Sequence, residues 1–353
     1  MPRVSDRWPD NATGDLYVDR SCRACGTCRV IAPTVFDAAD AHSVVREQPR
    51  DAASAHRAYM ALLACPAGAI GAAPRADLRP ARDAFPDFVL EDVALCGYVS
   101  ERSGCASAWF VRRDAGNVLV DVPRFARPLV ERVAAAGGVR WIFVTRGGHA
   151  GEADAWARRF GAERVAHRAA GIEAERTFDE ALELDADLRA VSAPGRAEGG
   201  AALLFRDEVL FPGDLVCGGP AGGLGFVPTA PVACADRLRG SLRALATLAF
   251  RHVLPARGSP WHGDIAAGQD ALHRLADADP GAPAPRGEPR AVPEGRSRAA
   301  PALPPLPTAR RGANGAANAG PRSPPERSRE REPPVGVEVV VRTVVRRRPA
   351  PQG

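Results

Sequence analysis

The sequence predicts an α+β protein: a small cysteine-bearing βαβ unit, a larger unit of mixed sheets flanked by helices, and a disordered C-terminal tail. Three observations carry this. The closely spaced cysteines all fall within residues 1–71, strand-like and helix-like segments alternate from 93 to 278, and residues 281–353 hold 15 of the 33 prolines with few large apolar groups. A chain of 353 residues with 45% apolar content is long enough to bury two separate cores. The expected organisation is 1–71 for the cysteine unit, 72–92 as linker, 93–278 for the layered unit and 279–353 as tail.

The elements follow in chain order. Residues 72–92, punctuated by Pro74, Pro80 and Pro86, lack periodicity and read as a linker. Ala106–Arg113 and Asn117–Asp121 read as strands around an Asp114-Ala115-Gly116 turn. Phe125–Ala136 has helical spacing and stops at Gly137-Gly138, and Val139–Thr145 is an apolar, buried strand. A helix over Glu152–Phe160 closes at Gly161, before a short strand at Arg164–His167. Strands follow at Leu188–Ala193, Ala201–Phe205 and Val209–Phe211. A long amphipathic helix is expected over Cys234–Phe250, then a strand Arg251–Leu254 and a helix near Ile265–Ala276. Short turns between neighbouring strands argue for mixed sheets rather than a purely parallel, doubly wound one. The tail cannot bury enough apolar surface to offset its ordering entropy; within it, Val335–Val345 is β-branched enough for one short strand.

Charge is unevenly spread. The tail carries 14 Arg and 6 Glu, a local charge of +8 against +5 for the whole chain, so the first 280 residues sum to −3. Every basic residue is arginine, which with the excess of Ala, Gly and Pro fits GC-rich coding bias better than a phosphate-binding surface. Nucleic-acid binding is therefore expected of the tail if of any part. No run of about 18 apolar residues occurs, and the opening MPRVSDRWPDNATGD lacks the apolar core of a secretory signal, so no membrane partner and a cytoplasmic location are expected. In a reducing compartment eight cysteines point to metal ligands or small buried hydrophobes before disulfides.

Cys22-x-x-Cys25-Gly26-x-Cys28, followed 37 positions later by Cys65-Pro66, is the strongest signal in the chain. Three thiolates at three-residue spacing wrap one cluster, and a remote Cys-Pro supplies the fourth ligand. Structural zinc uses paired knuckles instead. The expectation is one [4Fe–4S] cluster on Cys22, Cys25, Cys28 and Cys65, with Gly26 letting the loop close around it; a zinc site or unpaired core cysteines are the alternatives. The segment SCRACGTCRVIAPTVFD…LLACPAGAI (21–70) resembles small single-cluster bacterial ferredoxins, which implies one-electron transfer with a redox partner protein. Residues 1–71 balance 8 Arg against 8 acidic groups, with Arg20, Arg23 and Arg29 near the cysteine loop. Those arginines either favour the reduced cluster or solvate the surface. Cys96, Cys105, Cys217 and Cys234 lack ligand spacing and are expected as small buried hydrophobes.

The strings GNVLVDVPRF (116–125), GGVRWIFVTR (137–146), APGRAEGGAALLFRDEVLFPGDLV (193–216) and HVLPARG (252–258) resemble the metallo-β-lactamase (MBL) superfamily. The resemblance covers about 93–278 and implies a four-layer αββα sandwich with two metal ions between its sheets; ferredoxin–MBL fusions of this order exist. The ligand positions it implies are mostly lost. Where H-x-H-x-D-H is expected, Arg146 and Gly148 replace histidines and no Asp-His pair follows. Arg196 and Arg257 replace two further histidines. Only Asp214, the bridging carboxylate position, matches; His149 lies one place from an expected ligand. Guanidinium does not bind metal. The resemblance thus implies that Arg146, Arg196 and Arg257 converge where the metals would lie, pairing with Asp214 and Glu152, without zinc, iron or manganese but with room for an anionic ligand in the cleft. His149, with Asp214, is the residue that would rebuild a metal site; His167, His252 and His262 read as ordinary. Gly218–Gly225 (GGPAGGLG) reads as a flexible loop over the cleft.

Two functions follow. One is an iron–sulfur electron-transfer protein whose second domain serves docking or ligand binding. The other is an MBL-fold metallohydrolase with a rebuilt metal site and a structural or regulatory cluster. A basic-tailed nucleic-acid scaffold is a weaker third.

Overall fold

A computed structural model describes residues 2–219, 222–228 and 230–280. The expected disordered tail and the strand at Val335–Val345 lie outside the described residues.

The N-terminal unit runs β1 (Leu16–Val18), α1 (Thr27–Ile31), β2 (Phe36–Ala39), β3 (His42–Val45), α2 (Ala52–Ala64) and β4 (Ile70–Ala72). It is a doubled β-α-β pattern, more than the single βαβ expected: β1 pairs antiparallel with β4, and β2 with β3. α2 starts cleanly because Asp51 accepts from Ser54 N while Ser54 Oγ accepts from Asp51 N, a reciprocal capping box. Its buried face, Ala58, Met60, Ala61 and Ala64, packs on Ile31 and Val45. That packing fixes where Cys65 emerges at the helix end.

The stretch 72–92 is built into the fold rather than loose. α3 (Arg79–Asp83) has Pro80 in its first turn, where a missing N–H costs nothing. β5 (Asp87–Phe88) is the edge strand of the first large sheet. That sheet continues through β6 (Val93–Leu95), β7 (Trp109–Val111) and β8 (Val118–Val120). α4 (Arg127–Ala135) then leads to β9 (Trp141–Val144), α5 (Ala153–Phe160) to β10 (Glu163–His167), and β11 (Arg176–Phe178) ends it. Among the described residues the sheet has seven strands in order β11-β10-β9-β8-β7-β6-β5, parallel from β8 to β11 and antiparallel from β5 to β8. Gly161 ends α5 with φ +67, as its position after Phe160 predicts.

The second sheet comprises β12 (Ala181–Asp185), β13 (Leu188–Ser192), β14 (Ala201–Phe205) and β15 (Val209–Phe211). A hairpin of β16 (Val216–Gly218) and β17 (Leu224–Phe226) and helix α6 (Ala235–Leu245) intervene before β18 (His252–Val253) and β19 (Trp261–His262). α7 (Ile265–Asp277) closes the unit. The sheet order is β12-β13-β14-β15-β18-β19, with only β15 and β18 parallel. Of the glycine-rich segment, Gly218 belongs to β16 and Leu224 and Gly225 to β17, so its two ends pair with each other.

Alternation on β14 produces the layers. Leu203 and Phe205 point into the core shared with the first sheet, where Phe110, Phe143 and Trp156 lie, while Ala202 and Leu204 meet Leu238, Leu242 and Leu272 of α6 and α7. Both faces of β14 are buried, so its sequence shows no polar alternation. The arrangement is helix, sheet, sheet, helix, the αββα sandwich expected. α6 ends at Leu245, five residues short of the expected Phe250, which instead packs edge-on to Trp261 at 6.3 Å.

His252 and His262 face each other across β18 and β19, with Nδ1 atoms 2.9 Å apart. Burial holds both imidazoles below their ordinary range; Glu208 opposes this at His252, and His252 adds to it at His262. The folded chain therefore binds these protons less readily than the unfolded chain. Their contribution to stability is full above about pH 6.5 and is lost as pH falls through the lower folded values. The urea midpoint should drop between pH 7.5 and pH 5.5, and the double substitution His252→Gln/His262→Gln should flatten that dependence. An equal drop in the double variant contradicts this.

Candidate functional site

The cysteine loop leaves β1 at Val18 and enters α1 at Thr27. Gly26 caps α1 at φ +80, and a Cβ there would sit 3.0 Å from Arg29 Nη2, so glycine is favoured twice over. Cys22, Cys25, Cys28 and Cys65 line one common cavity, Cys28 buried and the others half-buried. Backbone N–H groups already point at the sulfurs: Ser43 N lies 3.4 Å from Cys22 Sγ, Ala24 N 3.5 Å from Cys22 Sγ and Ala69 N 3.3 Å from Cys65 Sγ. Thr27 Oγ1 lies 3.5 Å from Cys25 Sγ.

Burial pushes the Cys28 thiol up to about 12 and raises that of Cys65, against the opposing Ala69 N–H. Ligation must therefore expel those protons, and the N–H···S bonds stabilise the thiolates once it does. Two further observations fit a cluster. The Ser43 hydroxyl is buried on the cavity wall beside Cys28, where it opposes the rise of that thiol without a hydrogen bond of regular geometry, a donor placed for a sulfur or sulfide acceptor. Among the described residues no three His, Cys, Asp or Glu side chains gather closely enough to hold a single metal ion. Four thiols lining one cavity suit a cubane, whose four ligands sit on four irons.

The centre of the layered unit is different. β8 and β9 are parallel neighbours, and Asp121 and Thr145 follow their C-terminal ends. Asp121, in the left-handed region at φ +57, turns its carboxylate inward. It accepts from Thr145 N at 2.9 Å and from Thr145 Oγ1 at 2.9 Å, and its Oδ2 lies 3.0 Å from His149 Nδ1. His149 is fully buried, and its Nε2 accepts from Arg146 Nε at 3.1 Å. Those partners set the tautomer: Nδ1 carries the proton. Arg146 Nε also lies 3.3 Å from Asp214 Oδ2, but its hydrogen is aimed at His149, and Asp214 Oδ2 makes no hydrogen bond. Gly213, at φ +63, brings Asp214 here; a Cβ on it would come within 2.8 Å of Thr145 Oγ1.

Of the three arginines expected to converge on Asp214, only Arg146 pairs with it. Arg196 is buried, but its guanidinium donates to the carbonyls of Ala230 and Val227 and lies over the Phe226 ring. Arg257 donates to Gly104 O at 2.6 Å. Glu152 joins none of them; it accepts from Phe125 N at 2.5 Å and lies 3.6 Å from Arg102. The physical reason is that buried carbonyls of the loops at 104 and 227–230 need donors of their own, and guanidinium supplies several from one group. Asp121 was not foreseen: a lone aspartate after the apolar run VLV reads as a strand end, and only the register of β8 against β9 reveals its role. Cys96 and Cys217 are buried as expected, while Cys105 is half-buried and Cys234 exposed.

Comparison with known proteins agrees with this division. The family model described as "4Fe-4S single cluster domain of Ferredoxin I" matches residues 18–72, and that of the metallo-beta-lactamase superfamily matches residues 99–277. Similar solved structures include the DIM-1 metallo-beta-lactamase, at 20% identity over 54% of this chain and 95% of that one, with TM-score 0.41. Others are ETHE1 from Myxococcus xanthus (19%, 52% and 84%, TM-score 0.39) and a metallo-beta-lactamase from Pontibacter korlensis (18%, 49% and 88%, TM-score 0.38). No curated protein matches the chain.

Two predictions follow from these geometries. Cys65→Ala should abolish or degrade the brown cluster absorbance of anaerobically purified protein, while Cys96→Ala should leave it intact; equal loss in both would refute the ligand assignment. Asp121→Ala strands three donors inside the protein and should lower stability by about 3 kcal/mol in urea denaturation. Asp214→Ala, whose Oδ2 has no directional bond, should cost less, and the reverse ranking would contradict the network described.

Proposed function

Since the chain belongs to the metallo-beta-lactamase superfamily and carries a ferredoxin-like [4Fe–4S] domain ahead of that fold, we propose that it is a one-electron carrier whose superfamily half is a docking or ligand-binding body and no longer a dinuclear metallohydrolase. The observation that carries this reading is the hydrogen-bonded Asp121–His149–Arg146 chain at the ligand loops, with the Arg146 guanidinium beside Asp214. A hydrolytic centre of this superfamily needs neutral imidazoles and carboxylates with free lone pairs, so that two dications can lower the acidity of a bound water. Here both nitrogens of the single candidate imidazole are engaged, and the cation beside Asp214 is a guanidinium.

In the ferredoxin-like half, Cys22, Cys25, Cys28 and Cys65 would hold the cluster, which when bound supplies single-electron transfer and no covalent chemistry. The N–H groups of Ser43, Ala24 and Ala69 offset the negative charge on the ligand sulfurs, and the Ser43 hydroxyl adds a fourth donor. Bonds from the superfamily half hold the cysteine unit in place: Val99 N donates to Ala64 O at 3.2 Å and Arg124 Nη2 to Leu63 O at 3.1 Å, both beside Cys65. Anchoring the residues just before a ligand limits movement around the cluster, which lowers the cost of reorganisation on electron transfer.

Reductive titration followed by EPR tests this. The protein should take up one electron reversibly and show an S = 1/2 signal, unchanged by Asp214→Ala or by chelators that leave the cubane intact. Hydrolysis of β-lactams, thioesters or phosphodiesters that Asp214→Ala and chelators both abolish would overturn the reading in favour of a rebuilt hydrolase.

A further inference from the structure

Around the cysteine cavity the exposed side is positively charged. Arg20 is exposed and lies over the Trp8 ring, its guanidinium carbon 4.6 Å from the centroid. Trp8 in turn stacks on His42 at 3.9 Å, and the next residue, Ser43, donates its N–H to Cys22 Sγ. Arg23 lines the cavity with its side chain 66% exposed. Arg29 is half-buried and folds back over Gly26. Against these three cations stand Glu101, 3.1 Å from Arg23 Nε, and Asp10, 3.1 Å from His42 Nε2, while Asp6 is paired with Arg3. Asp19, nearest in sequence, is buried and occupied by Arg3 N and by Ser21 N and Oγ. Among the described residues Arg20 and Arg29 make no ion pair.

The opposite side of the cavity is covered. There Cys65 leaves α2, where Ala64 O and Leu63 O accept from Val99 and Arg124 of the superfamily half. A partner approaching the cavity closely therefore meets the loop 20–29 and its arginines.

Resting on the carrier reading above, we propose that this loop is the electron-exchange face, and that its positive rim selects a redox partner presenting clustered carboxylates. Exposed charges of this kind act mainly on encounter: they raise the association rate for an oppositely charged partner and lose that effect when salt shortens the screening length to about 10 Å at 0.1 M. The stacked Trp8 and His42 hold Arg20 in place, so its charge is presented without the entropy cost of ordering a free side chain.

The test uses the full chain with its cluster, so the basic tail is a constant background. One redox-inert and two redox-active probes read the face. Hexacyanochromate(III), a paramagnetic anion, should broaden the NMR signals of Trp8 and His42 before those of the distant Trp261. Protein reduced with dithionite should pass one electron from its cluster to the monoanion Co(III)–EDTA, giving Co(II). That rate should fall as salt is added, while oxidation by the trication hexaamminecobalt(III) should rise. Arg20→Gln/Arg23→Gln/Arg29→Gln should remove the local broadening and slow the monoanion by about tenfold at low salt. Glu101→Gln, which strips the carboxylate paired with Arg23 and threatens no fold contact beyond that exposed pair, should speed it. Broadening and rates that ignore these substitutions, or a preference for the trication in the parent protein, would overturn the docking face while leaving the carrier reading intact. A cluster that cannot be reversibly reduced would overturn both.

Discussion

A guanidinium taken out of water must find anions or carbonyls, and it cannot give a lone pair to a metal. Much of the layered unit's centre follows from that constraint. Arg146 follows β9, and its Nε hydrogen goes to His149 Nε2. His149 must then present Nδ1–H to Asp121, and Asp121 is held by the backbone and hydroxyl of Thr145 at the end of β9. The loop that could seat ions between two sheets is instead closed on itself. Arg196 and Arg257 obey the same constraint by a different route, satisfying loop carbonyls that would otherwise be buried without donors.

The cysteine unit is under the opposite constraint. Its thiols are buried enough to resist ionisation, yet N–H groups from three separate segments converge on them. Such donors gain most when the sulfurs become negative, so the unit is arranged for ligation. The two halves are joined beside Cys65, where α2 ends, so the cavity is backed by the sandwich on one side and open towards arginines on the other.

The sequence disclosed the elements whose signals are local. Val139–Thr145 and Ala201–Phe205 are readable as apolar runs, Gly161 as a helix stop, and the four cysteines that line one cavity by their spacing. It concealed what depends on pairing. β5 and β19 are two-residue strands that no periodicity can mark, and the prolines of 72–92 suggested a linker where Pro80 in fact starts a helix. The lost histidine positions could be named from the chain, but not where the replacing arginines would turn. Arg196 is directed by carbonyls at 227 and 230, which only the folded loops bring within reach. Asp121 escaped notice for the same reason, since its partners lie 24 and 28 positions away.

The most direct measurement of the central claim is the content of iron, zinc, manganese and acid-labile sulfide per chain in anaerobically purified protein. One cubane and an ion-paired superfamily centre predict about four irons and four sulfides with no other transition metal. Stoichiometric zinc, manganese or extra iron that disappears in Asp214→Ala would contradict it.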